Sequence, residues 1–170
     1  VDFARGMIPH HQGAIDMAKV QLKFGKDEQL KELAQRIIVW QEAEIGLMRQ
    51  WLNGRYSYFG TTGDNTDASV AGYMDAMKSM HRDMNIRYTG NADVDFARGM
   101  IPHHQGAIDM AWVLKKHGMD QSLRKIANDI IRSQAQEIKL MQEWLDAQPQ
   151  PRHKNKHKKK HVKHGHHASH

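Results

Sequence analysis

Two adjacent histidines flanked by methionines occur twice in this chain. The first copy is Met7-Ile-Pro-His10-His11, with Met17 one to two turns further on; the second is Met100-Ile-Pro-His103-His104, with Met110 in the same place. Thioether sulfur is soft and uncharged, so it suits Cu(I), and by the same logic Ag(I), and does little for Zn(II), Mg(II) or Ca(II). Imidazole accepts both copper oxidation states. On a helix, Phe3, Met7, His10, Ala14 and Met17 form one stripe, and Ile8, His11, Ile15, Ala18 and Leu22 form the next. Both histidines therefore fall among residues that should face a core. A lone histidine there is usually a hydrogen-bonded structural residue. Two in succession, repeated with methionine at helical spacing, point to metal ligands.

A third group lies between the copies. Met74, Met77, His81 and Met84 are spaced three, four and three, which aligns them on one helical face, with Met80 at its border. Flexible methionines filling a core are the competing explanation. Against it, the stripe has no Leu, Ile or Val, whose better-defined rotamers specify a core.

Glu44 and Glu137 continue the apolar stripes of their helices, between Gln41 and Met48 and between Gln134 and Met141. A carboxylate buried there needs a partner. A histidine on the facing helix would serve, with the carboxylate orienting a metal-bound imidazole. A purely structural hydrogen bond, to histidine or to Arg5 or Arg98, is the alternative. Pro9 and Pro102 have no N–H for the carbonyls of Arg5 and Arg98, so the helix must start there or kink there.

The elements that carry these residues follow from the duplication. Residues 1–18 recur unchanged as 94–111, and the match continues without a gap through Leu52 and Leu145. Each unit of about 52 residues reads as two helices. The first spans about Asp2–Phe24 and ends at Gly25, and the second spans about Asp27–Leu52 with an apolar stripe of Leu30, Leu33, Ile37, Trp40, Leu47 and Trp51. Residues 95–117 and 120–146 repeat the pair. A short linker makes each pair an antiparallel hairpin that cannot bury its apolar face alone. Two hairpins together give an all-α four-helix bundle, with an extra Met-rich helix predicted over Asp67–Tyr88. The expected organisation is one helical domain, 1–147: repeat one 1–52, connector 53–93 and repeat two 94–147. A His/Lys-rich tail, 148–170, follows and should be disordered.

Composition narrows the function. There is no cysteine, which excludes thiolate zinc sites and iron–sulfur clusters. Of the 25 Lys and Arg, seven lie from Gln150 onward where there are no acids, leaving 18 against 19 acids in the body. The near-neutral body removes the clustered basic face that specific nucleic-acid binding requires. No run reaches the roughly 18 apolar residues of a membrane span. A di-iron oxidase needs Glu-x-x-His, which the chain lacks. No serine sits in a nucleophile-elbow context either. The tail carries His153, His157, His161, His164, His166, His167 and His170 interrupted by lysines. It reads as a metal-capturing segment suited to Cu(II), or else as an appended tag.

The motif MIPHHQGAIDMA, followed by Q-x-x-E-I-x-L-M-x-x-W-L, resembles the ferritin-like, His- and Met-rich four-helix bundles long filed as a domain of unknown function. The resemblance covers about residues 1–147. It implies an exported, periplasmic or secreted protein, its leader removed, that binds copper and supports copper resistance without catalysis. It also implies that Met-x-x-His-His falls on Met7, His10 and His11 and on Met100, His103 and His104. The Glu-x-x-x-Met motif falls on Glu44 and Met48 and on Glu137 and Met141, and the Met-rich connector on Met74, Met77, Met80, His81 and Met84. The expectation is a monomer or weak oligomer that sequesters or ferries Cu(I), with a copper efflux or sensor protein as its partner. The rival is a non-catalytic interaction module whose Met-rich face docks another protein's helix.

Overall fold

The computed structural model describes residues 1–59, 67–85 and 87–149, with backbone alone for 55–59 and 67. The tail from Gln150, including its seven histidines, lies outside the described residues. Five helices are formed, α1 Asp2–Phe24, α2 Glu28–Phe59, α3 Asp67–Asp83, α4 Ala92–His117 and α5 Gln121–Asp146, and no strand occurs among the described residues.

Polar side chains start three of the helices by accepting otherwise unpaired amides of the first turn. Asp27 Oδ1 accepts from the Leu30 amide at 3.0 Å and Asp120 Oδ1 from the Leu123 amide at 3.0 Å. Asn91 accepts from the amides of Asp93 and Val94. Gly25 and Gly118 end α1 and α4, but for a different reason than a left-handed cap. Both have ordinary extended backbone (φ −69° and −84°). A Cβ on either would stand 2.6 or 2.7 Å from the carbonyl oxygen of Gln21 or Leu114. Space, and not conformational freedom, selects glycine there.

Two helix ends, the start of α4 (Ala92 and not residue 95) and one stripe differ from the sequence-based expectation. α2 continues to Phe59, so Asn53-Gly54 does not break it; a glycine in a helix costs about 1 kcal/mol, too little to end one by itself. α3 stops at Asp83 and leaves Met84 in the following turn. Neither helix starts at its proline: α1 and α4 run through Pro9 and Pro102. Trp40 and Leu47, assigned to the apolar stripe of α2, are 55% and 52% exposed. The buried face is instead Leu30, Leu33, Ala34, Ile37, Gln41, Ile45 and Met48.

α1 packs on α2 and α4 on α5, as two hairpins, and α1 lies against α4 at the centre. α2 and α5 touch only slightly, and α3 lies on α4. Two apolar clusters result. One joins Phe3, Ala4, Met7 and Met48 of the first repeat to Ala107, Met110, Leu114, Leu123 and Ile130 of the second. The other joins Ala14, Ala18, Leu30, Leu33 and Ile37 to Phe96, Ala97, Met100, Met141 and Trp144. Each cluster pairs the start of one repeat's first helix with the end of the other's, so α1 and α4 run antiparallel. The histidines fall midway along α1 and α4, between the clusters.

Candidate metal centre

His10 and His103 stack on each other across the α1–α4 contact, with ring centroids 3.8 Å apart and planes inclined by 28°. One imidazole comes from each repeat. Helical periodicity puts both on the inner face, and the antiparallel crossing of two identical strings brings them together. They are 9% and 5% exposed. Burial pushes the His10 pKa down to about 2, with repulsion from His103, His11 and His104 adding to it. Burial likewise pushes His103 down to about 3, helped by His104 and His11. Both rings are therefore neutral at physiological pH, the state a metal ligand requires.

His11 and His104 are fully buried and turn the other way, each placing Nε2 on a glutamate of its own hairpin partner: His11 on Glu44 Oε2, His104 on Glu137 Oε2. The glutamate side chains are largely buried as well, 14% and 16% exposed. Arg5 and Arg98 are not the carboxylates' partners in these contacts. The Nδ1 atoms of His10, His11, His103 and His104 are buried and make no hydrogen bond, and the same holds for Oε1 of Gln41 and Gln134. Buried polar atoms are ordinarily paired. Four unpaired imidazole nitrogens on the two His-His pairs, between two apolar clusters, mark the layer as something other than packing.

Sulfur reaches this layer from α3. Met80 Sδ lies 2.8 Å from His10 Nε2. Met80 comes this close because α4 carries glycine beneath it: a Cβ on Gly106 would sit 2.9 Å from Met80 Cγ and Sδ. The equivalent glycine of α1, Gly13, lies instead under His103, whose Nε2 would be 3.1 Å from an added Cβ. The two halves are thus alike in sequence and unlike in what covers them.

The remaining methionines and His81 are dispersed. Met7, Met48 and Met110 lie in one apolar cluster, and Met100 and Met141 in the other. Met17 is half-buried. On α3, Met74 and Met77 are 53% and 43% exposed. His81 is also exposed, with Nδ1 donating to the Met77 carbonyl at 2.9 Å. Met74, Met77 and His81 are therefore on the outer face of α3, Met84 is half-buried in the turn after it, and the border residue Met80 is the one turned inward. Gly13 and Gly106 belong to the layer without standing out in the sequence, although they occupy the same place in the two repeats. Among the described residues no three His, Asp or Glu gather into a metal-binding group. What the layer offers is a neutral nitrogen–sulfur pair, a donor set that suits a soft monovalent metal.

The model of a family described as a domain of unknown function (DUF305) matches residues 1–145 and 93–170. Among solved structures, CopM in the apo form is similar at 36% identity and TM-score 0.65, covering 85% of this chain and 94% of that one. CopM in the Cu(I)-bound form is similar at 37% identity and TM-score 0.64, with the same shares covered. A putative secreted DUF305 protein from Streptomyces coelicolor follows at 27% identity and TM-score 0.62, covering 85% of this chain and 88% of that one. Uncharacterized protein L153 of Acanthamoeba polyphaga mimivirus is 43% identical over 53 residues, 31% of this chain. The match spans about a third of that relative (35%).

Proposed function

We propose that this chain, which belongs to the DUF305 family, binds copper as cargo, taking it up as Cu(I) through histidine nitrogen and methionine sulfur and supporting copper homeostasis without catalysis. The observation that carries the reading is the contact of the neutral His10 imidazole with Met80 Sδ at 2.8 Å inside a layer of unpaired buried nitrogens. Support also comes from CopM, which is 36–38% identical and has been crystallised with Cu(I), Cu(II) and Ag. In this reading His10 and Met80 are ligands and His103 is a neighbouring donor. His11 and His104 are held in one orientation by Glu44 and Glu137, as carboxylates hold metal-bound imidazoles. The exposed Met74, Met77 and His81 form an outer capture face, and the tail histidines a Cu(II)-tolerant one. A periplasmic or secreted location fits a cysteine-free, thioether-based site. The secreted description of the Streptomyces relative points the same way, and no described helix is long and apolar enough to cross a membrane.

A second reading rests on the exposure of Met74, Met77 and Val70: the outer face of α3 docks another protein, indifferent to metal. Anaerobic Cu(I) titration against a colorimetric chelator separates the two. The full chain and a form ending at Pro149 should both compete for at least one equivalent. Met80→Leu keeps the volume and removes the sulfur, and should weaken the shorter form by more than the roughly 10–100-fold typical of losing a supporting contact. No competition from the shorter form would leave metal capture to the tail and overturn the buried site.

A further inference from the structure

α3 is held to the molecule differently from the other four helices. The large side chains of the two apolar clusters come from α1, α2, α4 and α5; α3 adds Ala76, with Tyr73 packed at the edge. Among the described residues its extensive packing is with α4 alone. Ser69 and Ala76 are its buried residues, whereas Val70, Met74 and Met77 are exposed. The approach to α4 is close where glycine permits it, with Gly72 against Val113 and Met80 over Gly106. Close approach along one line is not a large buried area, and an element with few buried apolar contacts is the first to open. With 17 residues and a glycine inside, α3 also lies near the length at which a helix without tertiary support is marginal.

This weakly held helix nonetheless supplies the sulfur of the histidine layer. Met80 Sδ meets His10 of α1 at 2.8 Å, while the helix that carries it lies on α4. An ion held by His10 Nε2 and Met80 Sδ would therefore bond α3 to a helix other than the one it rests on. The donor pair exists only while α3 is down.

We infer that α3 is a movable cover for the metal site: it lifts off α4 as a unit to admit the ion, and the ion then fastens it. The inference rests on the reading of His10 and Met80 as ligands. With α3 lifted, the other four helices keep both apolar clusters, His10 stays on α1 against His103, and Met80 leaves with its helix. With α3 down, nitrogen and sulfur converge again. A ligand that binds the closed form better draws the population toward it. Loading and closing are thus one equilibrium, and release of the ion waits for the same opening.

Hydrogen exchange of the full chain reads the cover directly. In metal-free buffer containing chelator, the amides of residues 71–83 should exchange at least about tenfold faster than those of α1 and α5. Free Ag(I) at ten times its Kd should slow them by about tenfold, as 1 + [L]/Kd requires when the open form does not bind. Met80→Leu should keep the metal-free pattern and lose that slowing. A cross-link gives a second readout. A Cβ on Gly72 would lie 3.7 Å from Val113 Cβ, a spacing that a disulfide spans, and the chain has no cysteine of its own. Oxidised Gly72→Cys/Val113→Cys should take Cu(I) from the chelator at least about tenfold more slowly than the parent and reach the same end point. Three results would each overturn the cover: α3 exchanging as slowly as α1 without metal, no slowing by Ag(I), or unchanged uptake by the oxidised variant. If Met80→Leu binds Cu(I) as tightly as the parent, the ligand reading itself fails and takes the cover with it. Weakened binding by Met80→Leu, with no Ag(I) slowing in the parent, removes the cover alone.

Discussion

Gly106→Ala tests whether α3 is wedged against the histidine layer. In an exposed helix interior this change gains about 1 kcal/mol, because alanine loses less backbone freedom and covers the helix better. At Gly106 the new Cβ would stand 2.9 Å from Met80 Cγ and Sδ and 3.0 Å from Met80 Cβ. Ordinary carbon contacts lie near 3.5–4.0 Å, so Met80 must retreat by roughly 0.5–1 Å. Its Cβ is attached to the backbone, so a rotamer change is not enough and α3 itself must move. Overpacking of this kind costs about 1–3 kcal/mol. The net effect should fall between neutral and about 2 kcal/mol destabilising. Gly46→Ala, with nothing within 4 Å of its new Cβ, provides the helix-propensity gain alone. In a chain of this size 1 kcal/mol moves Tm by about 2–4 °C, so the two variants should separate by roughly 2–12 °C. Anaerobic Cu(I) competition should show Gly106→Ala weakened and Gly46→Ala unchanged. Adding Met80→Ala to Gly106→Ala should recover part of the lost stability, a coupling that reveals the contact. The reasoning is refuted if Gly106→Ala melts as high as Gly46→Ala and binds Cu(I) like the parent.

Glu44→Ala and Glu137→Ala each leave a buried imidazole without its hydrogen bond and should each cost about 1–3 kcal/mol in urea unfolding; equal stability of both variants with the parent would mean that the pairs are not formed. The two stacked histidines set a pH dependence with a definite sign. Their folded values, about 2 and about 3, lie below the ordinary value near 6.5, so the unfolded chain takes up protons first as pH falls. Their contribution is therefore complete above pH ~6.5 and is lost progressively down to pH ~3. Between about pH 7.5 and about pH 5.5 the two together should cost roughly 2–3 kcal/mol of unfolding free energy, and a flat profile across that range contradicts neutral burial. Leu47→Ser, on the outward face of α2, should change stability by no more than about 0.5 kcal/mol, whereas Ile37→Ala in the core should cost about 2–5 kcal/mol. Equal losses would mean that the apolar stripe faces inward after all.

The exact repeat, the two hairpins and the burial of both histidine pairs could be read in the sequence, because a period of 3.6 residues and an offset of 93 are properties of the chain itself. That Glu44 and Glu137 need a partner was legible too, since each is an acid on an apolar stripe, but the choice between histidine and Arg5 or Arg98 was made only by the structure, which puts His11 and His104 on them. Periodicity, however, says which residues share a face and not which face docks. It placed Trp40 and Leu47 with the core because they continue an apolar spacing, yet α2 meets its neighbours along Ile37, Gln41, Ile45 and Met48. It drew attention to Met74, Met77 and His81 because sulfur and imidazole stand out. α3 lies down instead on Gly72 and Ala76, whose small side chains signal little in a sequence but permit the close approach that carries Met80 to His10. The stacking of His10 on His103, from residues 93 apart, exists only because two helices carrying the same string cross in opposite directions. Two such similar repeats also cannot tell, from sequence, that α3 will lie on α4 and carry Met80 over Gly106 to His10, while His103 stands over Gly13. That inequality arises in three dimensions, where α3 packs on the first helix of the second repeat.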